Sequence, residues 1–519
     1  MKSTLSVYGS HDSAVTFLDK SGDIITLEYE RFVRQRYAAM SQGMRSREGL
    51  GTSETSLRDF FTHVKSHLRS EIDLILFNEL NDEDLKLLDE LFPKATFKKS
   101  EHHASHAACG FYQSEFDEAL IFSIDGGGND ADGVTTTKLF AADNQGISSL
   151  TKYDINLGVA YGNIGCPISE INPGPDCNSH SLVYAGKVMG LCAYGKAREE
   201  WLDPMREFYR GAYPISRLGE KIQLNLSFNS LSGQDSYDLA ATSQYVFEEL
   251  ALGVISPLVD QSNKDVVLVG GCALNVLFNQ RLAEYLAPRG LKLFVPPNPN
   301  DCGLSLGQFL LEHPQKISNV VYNGFDLLDK ESLETLATQR GARRVSVSET
   351  VDLLKEGKLI GLVQGRSEIG PRALGNRSII CDPSFPDIKN ILNSKVKFRE
   401  WYRPFAPSSR LEDADTYFDK VFESPYMSFA PKVLPRYEQA LKAVTHVDST
   451  TRLQTVTREQ NALFYDILSE LHDRGAVAVI LNTSFNIRGN PILTTVEDAL
   501  YVLDNTELDC VLIEDYLFE

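Results

Sequence analysis

The stretch EHHASHAACGFYQSEFDEALIFSIDGGG, residues 101–128, combines the two patterns from which the fold class follows. Its first part predicts a helix over His102–Tyr112, with polar residues at its flanks. The segment EALIFSID, residues 118–125, is the short apolar run typical of a buried strand, and a glycine-rich turn is predicted directly after Asp125. A helix followed by a buried strand is the alternation expected of an α/β protein.

The same alternation extends in both directions along the chain. Strands are predicted at 5–9, 14–19 and 24–30, and helical and strand patterns alternate from about 54 to 124. After the deciding stretch come a helix at 237–260, a strand at 265–271, a helix at Ala273–Leu286, a strand at 291–297 and a helix after Asp301. The pattern loosens over 314–345 and resumes as a mixed α+β region. We therefore predict two domains, residues 1–330 and 345–519.

Composition excludes several classes of protein. The formal charge of −20 argues against broad contact with the phosphate backbone of a nucleic acid. The sequence contains no apolar run of about 18 residues that could span a membrane, and the N-terminus lacks the features of a secretory signal. The eight cysteines form no CxxC pair and are interpreted as free thiols in a reducing compartment. We expect a cytoplasmic protein with no membrane or nucleic-acid partner.

Four residues have the chemistry of a metal site. His102 and His106 are four residues apart, so a helix places both on one face. Asp125 ends one predicted strand and Asp301 follows another. Two imidazoles and two carboxylates suit a divalent ion such as iron, manganese or zinc. A second HxxxH pair, His63 and His67, has no such company and is interpreted as the face of an ordinary amphipathic helix.

Three glycine turns predict a nucleotide site. They lie at 9–13, 125–130 and 270–275, and each follows a predicted strand. Glycine lets backbone N–H groups approach phosphate closely. Any single turn of this kind is also compatible with an ordinary strand-to-helix connection. Together and in this order, they resemble the ATP-binding fold of sugar kinases, actin and Hsp70, in which two duplicated halves clamp a nucleotide.

Cations are concentrated in three C-terminal segments, at 365–378, 395–407 and 482–489. The first holds three arginines and three glycines in one loop. Arginine forks and a lysine ammonium suit phosphate and carboxylate oxygens. The alternative interpretation is a patch of salt bridges between domains.

These motifs occur in an order that identifies a family resemblance. GSHDSAV, HHASHAACGFY, SIDGGGNDADG, GGCALN, PPNPNDCGLSLG, GRSEIGPRALGNRSI, FREWYRPFAPS, HVDSTTRLQTV and LNTSFNIRGNPI follow one another through nearly the whole chain. The sequence resembles the O-carbamoyltransferase family, which includes the nodulation-factor, cephamycin and tobramycin carbamoyltransferases. It departs from the family where YERFVRQRY places Arg36 and Tyr37 at a position usually occupied by Lys-His, in a region that shapes the acceptor pocket.

The resemblance implies an N-terminal actin/Hsp70/sugar-kinase-like ATPase module of two related halves and a C-terminal YrdC-like module. It implies that carbamoyl phosphate and ATP, with magnesium, give carbamoyl-adenylate, whose carbamoyl group then passes to a hydroxyl of a small acceptor. A homodimer is a further expectation. The implied sites are metal ligands at His102, His106, Asp125 and Asp301; catalytic residues at His11 and Asp12; and nucleotide and carbamoyl phosphate ligands at Gly127, Gly128, Gly270, Gly271, Asn275, Arg372, Lys397, Arg403, Ser484 and Asn486.

Three other functions are compatible with parts of the pattern. A sugar-kinase-like phosphotransferase would use the glycine turns, although it would need neither the arginine-rich module nor the histidine pair. Threonylcarbamoyl transfer to a nucleoside of tRNA conflicts with the strong acidity of the chain. A regulatory ATP-binding module would predict decayed motifs. For His11, the alternative to catalysis is a turn histidine satisfied by backbone atoms.

Overall fold

The computed structural model describes residues 2–41, 54–131, 133–172, 181–487 and 489–519. Within these ranges helices and strands alternate in an α/β arrangement, which confirms the predicted fold class. No helix in the described ranges is long and apolar enough to cross a bilayer.

The first sheet is built from the N-terminal hundred residues. Its strands are β1 (Thr4–Tyr8), β2 (Ala14–Leu18), β3 (Ile24–Glu28), β4 (Leu74–Asn78) and β5 (Thr96–Lys99). The spatial order is β3-β2-β1-β4-β5. The first three strands form antiparallel hairpins, whereas β4 and β5 run parallel to β1.

The second sheet repeats this topology. Its strands are β6 (Ala119–Asp130), β7 (Gly133–Asp143), β8 (Gly146–Tyr153), β9 (Val266–Val269) and β10 (Leu293–Phe294). They are ordered β8-β7-β6-β9-β10, again with two antiparallel hairpins followed by two parallel strands. Tyr8 is the last residue of β1, and Asp125 comes two residues after the parallel pairing of β6 with β9 ends at Ser123. Both residues therefore lie where parallel strands end, towards the loops that carry polar side chains.

Helices cover and connect these two sheets. They are Tyr29–Val33, Glu54–His67, Asp82–Leu91, His102–Gln113, Leu157–Asn163, Ser181–Leu191, Glu199–Tyr209, Ile215–Ile222, Gln234–Ser262, Val276–Leu286 and Leu304–Glu312. The helices His102–Gln113 and Leu304–Glu312 approach closely at Gly307, where an added Cβ would lie 1.8 Å from the Ser105 carbonyl oxygen. Glycine at this position lets the histidine-bearing helix pack directly against its neighbour.

The C-terminal part is organised around an eight-stranded sheet of described residues. Its members are β11 (Arg343–Arg344), β12 (Ile360–Val363), β13 (Arg377–Cys381), β14 (Ala406–Arg410), β17 (Gln454–Val456), β18 (Val479–Ser484), β19 (Cys510–Ile513) and β20 (Tyr516–Phe518). A small separate ribbon is formed by β15 (Phe418–Asp419) and β16 (Lys432–Val433). The covering helices are Leu333–Arg340, Val347–Lys355, Ile388–Ile391, Ala414–Tyr417, Ala462–Asp473 and Val496–Asn505.

Two local features differ from the sequence predictions. The glycines after Asp125 do not form a turn, because β6 continues through them to Asp130 with a register shift between Ile124 and Gly128. The loosely patterned segment 314–345 contains the helix Leu333–Arg340, whose Leu333 packs in the C-terminal core. Short elements rich in glycine or polar residues escape pattern analysis because their periodicity is weak.

Candidate active site

Four buried side chains converge where the two N-terminal sheets meet. His102 and His106 come from one face of their helix, Asp125 from β6, and Asp301 from the turn that begins the helix Leu304–Glu312. The Nε2 atoms of the two histidines lie 3.2 Å apart. Oδ2 of Asp125 lies 3.1 Å from His102 Nε2 and 3.0 Å from His106 Nε2. Oδ1 of Asp301 lies 3.4 Å from His106 Nε2.

This spacing fits a metal ion. At bond lengths of about 2.0–2.1 Å, neighbouring ligand atoms lie about 3.3 Å apart around a tetrahedral ion and about 3.0 Å apart around an octahedral one. The four residues each offer one ligand atom, and all of these atoms lie within 4.8 Å of one another. The sequence prediction brought together the same four side chains. Because both geometries fit, the spacing does not choose among the candidate metals.

Tyr8 and His11 surround Asp301. The Tyr8 hydroxyl donates to Oδ2 of Asp301 at 2.5 Å, and His11 Nε2 lies 3.5 Å from the same oxygen. Burial, followed by the Asp301 charge, raises the pKa of Tyr8 well above its ordinary value, so the phenol stays a donor. Burial opposes protonation of His11, but Asp301 and then Asp12 raise its pKa to about 10. The Nδ1 atom of His11 is 3.2 Å from Asp12.

The glycines of the motifs have distinct positions. Gly128 packs against His102, where an added Cβ would lie 2.1 Å from the ring. Gly270 has φ +88° and lies against the Ile124 carbonyl. The Gly271 N–H donates to Asp125 Oδ1 at 3.2 Å. Gly127 lies in β6 with φ +147°. The glycines therefore shape the backbone around the four-residue cluster.

Asn275 has two structural tasks. Its side chain accepts from the Phe278 N–H at 3.1 Å and so caps the helix Val276–Leu286. It also exchanges hydrogen bonds with Gln244, at 3.0 and 3.1 Å. Asn275 nevertheless lines the cavity described below.

The predicted cation site forms around Lys397. Its ammonium donates to Ser484 O at 2.6 Å, to Ser484 Oγ at 3.1 Å, and to both side-chain and backbone oxygens of Asn486. Burial and then the charges of Arg399 and Arg403 hold the pKa of Lys397 well below its usual value. Three predicted residues from distant motifs are thus brought into direct contact.

Arg372 and Arg452 extend this positive cluster. Burial and then Arg403 lower the pKa of Arg372 to about 10, and burial and then Arg372 hold the pKa of Arg452 well below its usual value. Their Nε atoms are buried and have no hydrogen-bond partner among the described residues. Crowded like charges with unsatisfied donors are costly unless an anion accepts from them. For Arg372 and Arg452, an anion-binding site therefore explains the arrangement better than a patch of salt bridges between domains.

Both sets of residues face one cavity of about 690 Å³. His11, Asp125 and Asp301 lie on its wall together with Arg372 and Lys397, so the acidic cluster and the cationic cluster share one cavity. The cavity is the size of a site for a nucleotide-like molecule. Neighbours on its wall include Arg36 and Tyr37, the pair that departs from the family pattern.

Sequence reasoning missed several residues of this cavity. Tyr8 belongs to a quoted strand, and nothing in LSVYG marks its hydroxyl as polar and engaged. Asn300, which donates to Asp12 at 3.3 Å, and Arg452 lie within recognised motifs but were assigned no role. The signal available in the sequence was that Arg452 is the one arginine of HVDSTTRLQTV. A single cation in a polar loop of an acidic chain indicates an anionic partner.

The second HxxxH pair lies outside the site. The His63 ring lies 5.8 Å from the Phe325 ring, and the His67 ring lies 4.5 Å from the His63 ring at an angle of 49°. Burial lowers the pKa of His63 to about 4, which favours a neutral packing residue. This arrangement agrees with its interpretation as the face of an amphipathic helix.

Comparison with known proteins assigns the chain to a family. The Carbamoyltransferase N-terminus family matches residues 90–310 and the Carbamoyltransferase C-terminus family matches residues 351–519. Nodulation protein NolO of Bradyrhizobium diazoefficiens is 32% identical over 457 residues, covering 80% of this chain and 78% of that protein. The 3'-hydroxymethylcephem-O-carbamoyltransferase of Amycolatopsis lactamdurans is 28% identical over 345 residues, covering 64% and 65%. The crystal structure of full-length HypF, in a phosphate- and nucleotide-bound form, is 14% identical with a TM-score of 0.38, covering 60% of this chain and 55% of that one.

The protein is therefore an enzyme of the transferase class that moves carbamoyl groups. More particularly, the chain belongs to the O-carbamoyltransferase family, whose substrates are a carbamoyl donor and an acceptor bearing a hydroxyl.

Proposed function

We propose that the enzyme makes carbamoyl-adenylate and then carbamoylates a hydroxyl of a small molecule. Carbamoyl phosphate, ATP and water would give carbamoyl-adenylate, pyrophosphate and phosphate; the acceptor oxygen would then bond to the carbamoyl carbon as AMP leaves. The observation that carries this proposal is the single cavity that joins a cationic cluster to a histidine–aspartate cluster. A mixed anhydride that water destroys favours such an enclosed path.

The cationic end suits the adenylation step. Arg372, Lys397 and Arg403 would hold the phosphates of ATP and carbamoyl phosphate, since charge-assisted bonds to phosphate are strong. Lys397 is already oriented by Ser484 and Asn486. An anion that enters here would also relieve the repulsion that lowers the pKa of Arg372. These cations, together with Ser484 and Asn486, would thus form the adenylate-forming site.

The other end suits the transfer step. Gly270, Gly271 and Asn275 would hold the adenylate, and His11 with Asp12 would accept the proton of the acceptor hydroxyl. Asp301 is the strongest cause of the raised His11 pKa, so neutralising Asp301 favours the unprotonated imidazole that a base requires. A divalent metal bound by His102, His106, Asp125 and Asp301 would supply Lewis acidity towards developing negative charge.

The fold supports two modules that carry out different steps of the reaction. The repeated strand order of the first two sheets supports an ATPase-like N-terminal module of two related halves over residues 1–330. The separate C-terminal sheet supports a YrdC-like module over residues 345–519. Magnesium with ATP, a homodimer and a cytoplasmic location are further parts of the proposal.

The first test needs no acceptor. The protein is incubated with ATP, carbamoyl phosphate and a divalent metal, while AMP, ADP and pyrophosphate are followed. Pyrophosphate and AMP that depend on carbamoyl phosphate are expected. ADP formed without regard to carbamoyl phosphate would instead favour the kinase alternative and refute adenylation.

A matched pair of variants locates the activity. Lys397→Met removes the buried ammonium while keeping an unbranched side chain of nearly the same length. It should lower pyrophosphate release more than about 100-fold, since a misplaced group at a reacting centre already costs that much. Lys395→Met removes an exposed lysine two residues away, which pairs with Glu507 at 2.9 Å, and should leave the rate unchanged. Equal rates in both variants would exclude the Lys397 site.

A further inference from the structure

A buried ion pair fastens the N-terminal region to the glycine- and arginine-rich loop. Glu28 ends β3 and Arg31 lies in the helix Tyr29–Val33; Arg31 Nε is 2.8 Å from Glu28 Oε2. Only 5% of Glu28 and 2% of Arg31 are exposed. Besides this ion pair, Glu28 Oε1 and the two Nη atoms of Arg31 make further hydrogen bonds. Those atoms reach across to the loop that carries Arg372.

The peptide groups of Gly370 are held on both sides. The Gly370 N–H donates to Glu28 Oε1 at 2.5 Å, and Arg31 Nη2 donates to the Gly370 carbonyl at 2.7 Å. Arg31 Nη1 donates to the Glu368 carbonyl at 2.5 Å. The guanidinium fork therefore spans two carbonyls and a carboxylate at once, which the single ammonium of lysine would not reproduce.

The opposite side of Gly370 rests on the loop that leads to Asp301. Gly370 has φ +92°, and an added Cβ would lie 2.2 Å from the Pro297 carbonyl oxygen. Four residues beyond Pro297 comes Asp301, and two residues beyond Gly370 comes Arg372. One peptide is thus fixed between the element that holds the His–Asp cluster and the element that presents a cavity arginine.

We propose that Glu28 and Arg31 are positioning residues that set Arg372 in the shared cavity relative to Asp301. The inference rests on the proposed use of ATP. Neither residue touches the reacting atoms in this role. By holding Gly370, they fix the distance between the cationic and the acidic ends, so that adenylate formed at one end lies within reach of the other.

The test compares two arginines of the same segment. Arg31→Lys keeps the charge but loses the fork. Arg34→Gln is the control, because the largely exposed Arg34 side chain contacts Asp498 and Thr495 of the C-terminal region without touching the loop. Four quantities are measured: amide exchange of residues 366–377, the KM for ATP and the kcat in carbamoyl phosphate-dependent pyrophosphate release, and the melting temperature.

For Arg31→Lys, we expect exchange of the Gly370 amide and the KM for ATP each to rise about tenfold or more, the factor that matches a lost hydrogen bond to a charged group. The change in kcat should be smaller. In Arg34→Gln, exchange of the Gly370 amide and the KM for ATP should both equal those of the wild type. Unchanged exchange, or faster exchange with an unchanged KM, overturns the inference while the adenylation activity of the wild type stands.

A wild type that releases no pyrophosphate would instead refute the proposed function itself. If Arg31→Lys does not fold, the double variant Glu28→Gln/Arg31→Gln removes both charges and leaves neither buried alone. The same rises in exchange and KM are expected of it, and their absence would again overturn the inference.

Discussion

Replacing Tyr8 by Phe should weaken metal binding about 10- to 100-fold. The hydroxyl donates to Oδ2 of Asp301 at 2.5 Å, while Oδ1 of Asp301 faces His106 Nε2 at 3.4 Å. A hydrogen bond to a charged group contributes about 1.5–3 kcal/mol, which corresponds to roughly one to two orders of magnitude in affinity. Losses of outer partners of metal ligands fall in the same range.

The physical reason is orientation of the carboxylate. Without the phenol, the neighbour of Asp301 Oδ2 that remains among the described polar side chains is His11 Nε2, at the longer distance of 3.5 Å. The ring of Phe fills the same space, because Tyr8 is buried with 2% of its surface exposed. The variant should therefore lose affinity without leaving a cavity.

The assay is competition between the protein and a chelator for zinc or manganese, with Tyr209→Phe as the control. Tyr209 is also fully buried, and its hydroxyl bonds Ser243 Oγ at 2.7 Å in a helical region. That variant should lose stability but keep its affinity for the metal. Equal affinity in wild type and Tyr8→Phe, or equal losses in both variants, would refute the reasoning.

Three further predictions concern the rest of the cavity. His102→Ala should lower metal affinity more than about 100-fold but spare pyrophosphate release, and Arg372→Ala should do the reverse; loss of both activities in either variant would contradict this division. Gly128→Ala should reduce metal content because its Cβ would meet the His102 ring at 2.1 Å, whereas Gly253→Ala, in open space, should add about 0.5–1 kcal/mol of stability. Burial raises the pKa of Glu400, yet its basic neighbours lower it to about 2. The contribution of Glu400 to the free energy of unfolding is therefore present above pH 4.5 and is lost as the pH falls towards 2. In urea unfolding, the free energy of unfolding of Glu400→Gln should fall less over this pH range than that of the wild type, by up to about 3 kcal/mol.

The order of helices and strands could be predicted where the periodicity was strong. The strands at Thr4–Tyr8 and Leu74–Asn78 and the helix His102–Gln113 are close to their predicted bounds. The glycines 126–128 predicted a turn, but pairing of β6 with β7 resumes at Gly128 after a bulge. Tertiary pairing overrides a weak local preference there, and a single sequence does not reveal the partner strand.

The grouping of the four side chains of the histidine–aspartate cluster was predictable because histidine and aspartate at these positions indicate possible metal ligands. Two histidines share a helix face, and two aspartates follow strands. Tyr8 was not predictable, since it lies 293 positions from Asp301 and a tyrosine in a strand is ordinarily packing. Arg452 was quoted within its motif without a role, because only the fold brings it beside Arg372.

The arrangement of charge in the cavity is compatible with the two steps proposed for this acidic chain. With a net charge of −20, the long-range field repels phosphate, so recognition depends on short-range donors in a site of low dielectric constant. Arg372 and Arg452 have Nε donors without a hydrogen-bond partner among the described residues, which suits the proposed binding of an anion. Asp125 and Asp301 create the opposite requirement at the other end, where a cation is favoured. Each cluster is unfavourable alone and complementary to a ligand of opposite charge, and the Glu28–Arg31 pair bonds the Gly370 peptide in the loop that carries Arg372.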